Sequence, residues 1–114
     1  MPAPQPAAKA QPAEQEREGT HELEEVRTMF RDFRTRLGEN PIGSNAEMMK
    51  AIMGGNEAGA RLGPPPGQGI NENGELMDRW GTAYFFHQLS KDRMEVRSAG
   101  ADRKMWTVDD LVTH

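Results

Sequence analysis

Leu23, Val26, Phe30, Phe33 and Leu37 recur at steps of 3, 4, 3 and 4. That spacing puts all five on one stripe of an α-helix and gives it an apolar face to bury. The stripe predicts a helix over about 22–37. Thr20 suits its N-cap, Glu22, Glu24 and Glu25 suit the positive N-terminal end of the dipole, Arg34 and Arg36 suit the negative end, and Gly38 stops it. Arg27, Arg31, Arg34 and Arg36 share the segment with acidic residues, so this side reads as a solvated helix face.

A helix of this kind needs a partner surface, and the rest of the chain supplies one. Asn40-Pro41 breaks the pattern, and Ser44-Asn45-Ala46-Glu47 has the Ser-x-x-Glu spacing of a capping box. A second helix is expected over about 45–53, with Met48, Met49, Ile52 and Met53 as its apolar face and Gly54-Gly55 as its end. Residues 56–74 carry Gly59, Gly63, Gly67, Gly69 and Gly74 around the triple proline Pro64-Pro65-Pro66, a composition suited to a long irregular loop. Strand-like runs follow at 83–89 and 94–98, joined by the polar turn Ser90-Lys91-Asp92-Arg93, and Glu75-Leu76-Met77 offers a short extra strand. Tyr84 and Phe86 point to one face of the hairpin, Phe85, His87 and Leu89 to the other. The fold class expected is α+β, with a long N-terminal helix packed on a small antiparallel sheet.

Residues 1–20 contain four Pro, five Ala and three Gln and no large aliphatic or aromatic side chain to offset the entropy of ordering. They read as a disordered tether, and 21–114 as a single domain. With 14 Lys and Arg against 18 Asp and Glu, the chain has a net charge of −4, which argues against sequence-independent nucleic-acid binding. The absence of cysteine excludes disulfides and thiolate zinc sites. The longest apolar run is about five residues, against the roughly 20 needed to span a bilayer, and Met1 does not open a secretory signal.

His21, His87 and His114 show no zinc-type spacing, and His87 reads as a partly buried, hydrogen-bonded strand residue. No phosphate-loop or nucleophile-elbow pattern is present. The chain is expected to be no enzyme and to have no small-molecule substrate. Asp102, Asp109 and Asp110 sit in a turn-prone segment. They can join backbone carbonyls around a hard cation such as calcium, or Asp102 can cap a turn while Asp109-Asp110 begins a last helical turn. Trp80 and Gly81 read as packing residues, the indole covering the sheet, while Trp106 either seals the acidic loop or stays exposed as a contact residue.

Three segments carry a resemblance: Asp78-Arg79-Trp80-Gly81-Thr82-Ala83-Tyr84, Met94-Glu95-Val96-Arg97-Ser98-Ala99-Gly100-Ala101-Asp102, and Thr107-Val108-Asp109-Asp110-Leu111. Together they resemble the C-terminal domain of the type II secretion major pseudopilins, the protein G family, over about a third of the chain. The resemblance implies a long helix packed on a small antiparallel sheet and a calcium-binding acidic loop after the last strand. Asp102, Asp109 and Asp110 would be its side-chain ligands, with carbonyls of Val96, Ser98 or Met105 as further candidates. It also implies a non-catalytic subunit of a periplasmic or cell-envelope assembly whose partners are other pseudopilin-like subunits. Arg103, Lys104, Met105 and Trp106 stand where the family's loops often carry glycine, and two cations there can replace some of calcium's charge. A pseudopilin also has an apolar stem and a peptidase cleavage site, whereas a proline-rich spacer precedes Leu23 here. The alternative expectation is a stand-alone or separately anchored binding module that reuses the pseudopilin head.

Overall fold

The computed structural model describes the backbone of residues 4–113 and the surroundings of residues 13–113. The order is helix α1 (Pro4–Leu37), helix α2 (Asn45–Ile52), strands β1 (Phe85–Ser90) and β2 (Arg93–Ser98), a 3-10 turn at Gly100–Asp102, and strand β3 (Leu111–Thr113). The three strands form one antiparallel sheet in the order β1-β2-β3, against which α1 packs. No helix among the described residues is long and apolar enough to cross a membrane.

The predicted stripe is the core. Leu23, Val26, Met29, Phe30 and Phe33 of α1 are buried, with Leu37 partly so. They meet Tyr84, Phe86, Met94 and Val96 of the sheet side and Met48, Met49 and Ile52 of α2. Phe30 stands edge-on to Phe86 at 4.8 Å between ring centroids, the geometry in which a positive ring edge meets a negative face. Each buried large side chain of this kind contributes about 1.5–3 kcal/mol relative to exposure. The C-terminal end of α1 falls where expected, the Gly38 N–H donating to the Arg34 carbonyl at 2.7 Å.

The N-terminal end does not fall where expected. α1 is continuous from Pro4, and Thr20 is no cap: its hydroxyl donates to the Glu16 carbonyl inside the helix. The tether expected over 1–20 is therefore helical from Pro4 onward, while its residues 1–3, and the side chains of 4–12, lie outside the described residues. Two causes extend the helix. Glu14 to Arg17 are strong helix formers, and propagation from an anchored helix costs far less than nucleation. Gly19 and Glu18 also dock on the domain, Gly19 against Trp80 and Glu18 through an ion pair with Arg79. Within 13–20, Gly19 alone is buried.

The Ser44–Glu47 capping box is formed. Ser44 Oγ accepts from the Glu47 N–H at 3.3 Å and Glu47 Oε1 accepts from the Ser44 N–H at 2.8 Å. Asn45, the first residue of α2, ties this corner to the sheet: its Nδ2 donates to the carbonyls of Leu76 and Tyr84, and its Oδ1 accepts from the Leu76 N–H. The glycine-rich loop is organised by the same chemistry, with Asn56 and Asn71 side chains receiving backbone N–H groups of their own turns. Leu76 and Met77 make isolated bridges to Ile70 and Ala83 in place of a regular strand. β3 is the element the sequence pattern did not announce: three residues with no alternation long enough to read, paired to β2 as Val96↔Thr113 and Ser98↔Leu111.

Candidate functional site

The loop between β2 and β3 holds the residues on which the sequence placed chemistry. β2 alternates Met94, Val96 and Ser98 into the core, which turns Glu95 and Arg97 to the outer face. Arg97 is the hub of that face. Its Nη1 donates to Asp110 Oδ2 at 3.0 Å, and its Nη2 and Nε donate to Glu95 Oε2 at 2.9 and 3.3 Å. The guanidinium also lies over the Trp106 indole, 4.6 Å from the ring centroid, and Trp106 meets Phe85 edge-on at 5.1 Å. Trp106 thus covers one face of the Arg97 guanidinium while the residue as a whole is 64% exposed.

Asp110 turns inward, its side chain only 3% exposed. Besides Arg97, it accepts from the Trp106 N–H at 2.7 Å and the Thr107 N–H at 3.3 Å. Burial pushes its carboxyl up, but the Trp106 N–H, the Arg97 guanidinium and the Thr107 N–H outweigh burial and hold it below the usual range. Asp102 faces solvent and closes its own turn, accepting from the Lys104 N–H at 2.9 Å and the Thr107 hydroxyl at 2.7 Å. Asp109 contributes mainly through its backbone. Its carbonyl oxygen lies where a Cβ on Gly100 would have to sit, and Gly100 has φ +77, so only glycine lets the two arms of the loop touch.

The three aspartates thus share a loop without forming a ligand set. Among the described residues no group of three or more His, Asp or Glu is arranged to hold a metal. Asp110 is taken up by three protein donors and Asp102 by two. Val96 and Ser98, candidates for carbonyl ligands, lie in β2 in register with Thr113 and Leu111 of β3. The donors present do not fit the calcium site that the resemblance implies. Arg97 and Thr107 were not singled out from sequence, although Glu95-x-Arg97 on one strand face and Thr107-x-x-Asp110 at capping distance were the legible signals.

Beneath the loop, the Asp78-x-Trp-Gly motif resolves into a hydrogen-bonded turn. Asp78 Oδ1 accepts from the N–H groups of Trp80 and Thr82 at 3.0 and 2.9 Å. Its Oδ2 accepts from the buried Ser98 hydroxyl at 2.7 Å, and Ser98 Oγ in turn accepts from the Gly100 N–H. This chain of bonds joins the motif's turn to the end of β2 and the start of the acidic loop. His87 departs from expectation: it is exposed on the outer face, its Nδ1 3.6 Å from Glu95 Oε1, because register puts its neighbours Phe86 and Gln88 opposite Val96 and Met94.

A separate open groove of about 690 Å³ runs between α1 and the Pro64-Pro65-Pro66 wall, with Met29 and Leu62 among its lining. Glu24 and Glu25 on its rim are paired with Arg27 and His21. No protein family, curated protein or solved structure matches the chain.

Proposed function

We propose that this chain is a non-catalytic, pseudopilin-like structural subunit of a type II secretion-type envelope assembly, acting through protein–protein contacts. The observation that carries this reading is the division of α1. Its residues from Leu23 to Phe33 build the core of a small α+β head, whereas 13–18 are exposed and touch that head through Glu18's ion pair with Arg79. A helix that is mainly polar in one part and core-forming in another suits a solvent-bridging arm that presents the head to neighbouring subunits, in place of a pseudopilin's apolar stem. The motif that carries the resemblance supports the same reading, because Asp78, Trp80, Ser98 and Gly100 act as one packing unit rather than as a reactive centre.

The test is photo-crosslinking from exposed stem positions Glu14 and Arg17 in cells that produce the protein natively. Adducts with a second copy and with other envelope-assembly subunits are expected. Recovery of one partner unrelated to such an assembly, with no self-adduct, would favour the stand-alone or separately anchored binding module and overturn the proposal.

A further inference from the structure

The inward-turned carboxylate of the acidic loop, Asp110, meets a positive charge supplied by β2, the Arg97 guanidinium. We infer that Arg97 is the built-in counter-ion of the β2–β3 loop, so that the loop closes without a divalent cation. The inference does not rest on the assembly role proposed above.

A loop with acidic residues at both ends needs its repulsion cancelled, and a hard cation does this by gathering 6–8 oxygens. Here a planar guanidinium does it from one side, with separate edges for Asp110 and Glu95. Backbone N–H groups of Trp106 and Thr107 complete the shell of Asp110, and the Trp106 ring covers the guanidinium face that would otherwise meet water. Seating Trp106 in this way requires φ +69, a left-handed conformation that an aromatic residue takes only when its surroundings hold it. The position therefore gains enough from the Arg97 and Asp110 contacts to hold that backbone.

Charge balance agrees. Between Glu95 and Asp110 the chain carries four carboxylates, at 95, 102, 109 and 110, and three cations, Arg97, Arg103 and Lys104. A divalent ion would be met by a nearly neutral loop rather than a strongly acidic one. Arg103 itself holds φ +58, occupying with a charged side chain a conformation that glycine would adopt freely.

Thermal unfolding of the unmodified protein with millimolar calcium and with EDTA, followed by Trp fluorescence, tests the inference. Identical melting temperatures are expected, together with no saturable calcium binding by calorimetry. A calcium-dependent rise in melting temperature reversed by EDTA would overturn it, whatever the variants do. Arg97→Met should lower the melting temperature by several degrees, with Arg97→Lys intermediate because it keeps the charge but not the fork. If both variants melt like the parent, Arg97 is not the counter-ion and the inference fails.

Discussion

The Trp80 indole lies across Gly19 of α1, so closely that a Cβ at position 19 would stand 2.7 Å from its Cη2 and 3.1 Å from Leu111 Cδ1. Glycine is a poor helix residue, about 1 kcal/mol worse than alanine, yet here it is the residue that lets α1 touch the motif turn and β3 together. Gly19→Ala should therefore destabilise the domain by about 1–2 kcal/mol, overpacking outweighing the gain in propensity. Denaturant unfolding reads this directly, and a more stable variant would show that Trp80 can yield.

Asp78 and Ser98 should behave as one unit. Asp78→Ala leaves the Trp80 and Thr82 N–H groups and the Ser98 hydroxyl without their acceptor, at an expected cost of about 2–4 kcal/mol. Ser98→Ala should cost about 1 kcal/mol. The double variant should fall short of the sum, and simple additivity in the cycle would mean that the 2.7 Å bond contributes little.

Asn45 uses both ends of its amide, two carbonyl acceptors on Nδ2 and one N–H donor on Oδ1. Asn45→Asp, nearly isosteric, turns an oxygen toward the Leu76 and Tyr84 carbonyls. It should lose more stability than Asn45→Ala, whose cost is about 1–3 kcal/mol. The reverse order by chemical denaturation at neutral pH would contradict the assigned amide orientation.

Glu22 shows how an ion pair can fail to stabilise. Burial pushes its carboxyl up, Arg79 at 3.8 Å pulls it down, and Glu25, Glu18 and Asp78 push it up further, leaving it raised. A carboxyl raised in the folded state binds its proton more tightly there than in the unfolded chain. Its contribution is present below the unfolded pKa and is lost as pH rises through the folded one. Glu22→Gln should match the parent in acid and melt higher at neutral pH, because the long contact to Arg79 contributes only about 0–1 kcal/mol. A lower melting temperature than the parent at pH 7 would show the ion pair to dominate.

Asp110 has the opposite sign. Burial raises it, but the Trp106 N–H, the Arg97 guanidinium and the Thr107 N–H together hold it low, so its stabilisation is present above the ordinary carboxylate pKa and fades as pH falls through its depressed value. Asp110→Asn should lower the melting temperature at neutral pH and leave it nearly unchanged in strong acid, which a pH series of melts would check. A deficit that persists undiminished in acid would point to packing rather than charge.

Much of the fold was legible because it rests on local periodicity. The α1 stripe, the Ser44–Glu47 box and the 90–93 turn each fit within one helix face or one turn, and each stands where the pattern put it. The acidic loop was legible only as a composition. Asp102, Asp109 and Asp110 lie within nine residues of one another, but which carboxylate turns inward depends on Arg97, which β2–β3 pairing delivers across the sheet.

The chain by itself determined that a long amphipathic helix would cover one face of a small antiparallel sheet, since burying the 23–37 stripe and the Tyr84/Phe86 face allows little else. Only the tertiary structure decided where α1 begins and what holds the C-terminal loop. The start of α1 combines the helix propensity of Glu14–Arg17 with the docking of Gly19 on Trp80, and the loop rests on Arg97 with Asp110; both contacts join residues far apart in the chain and depend on burial and mutual orientation.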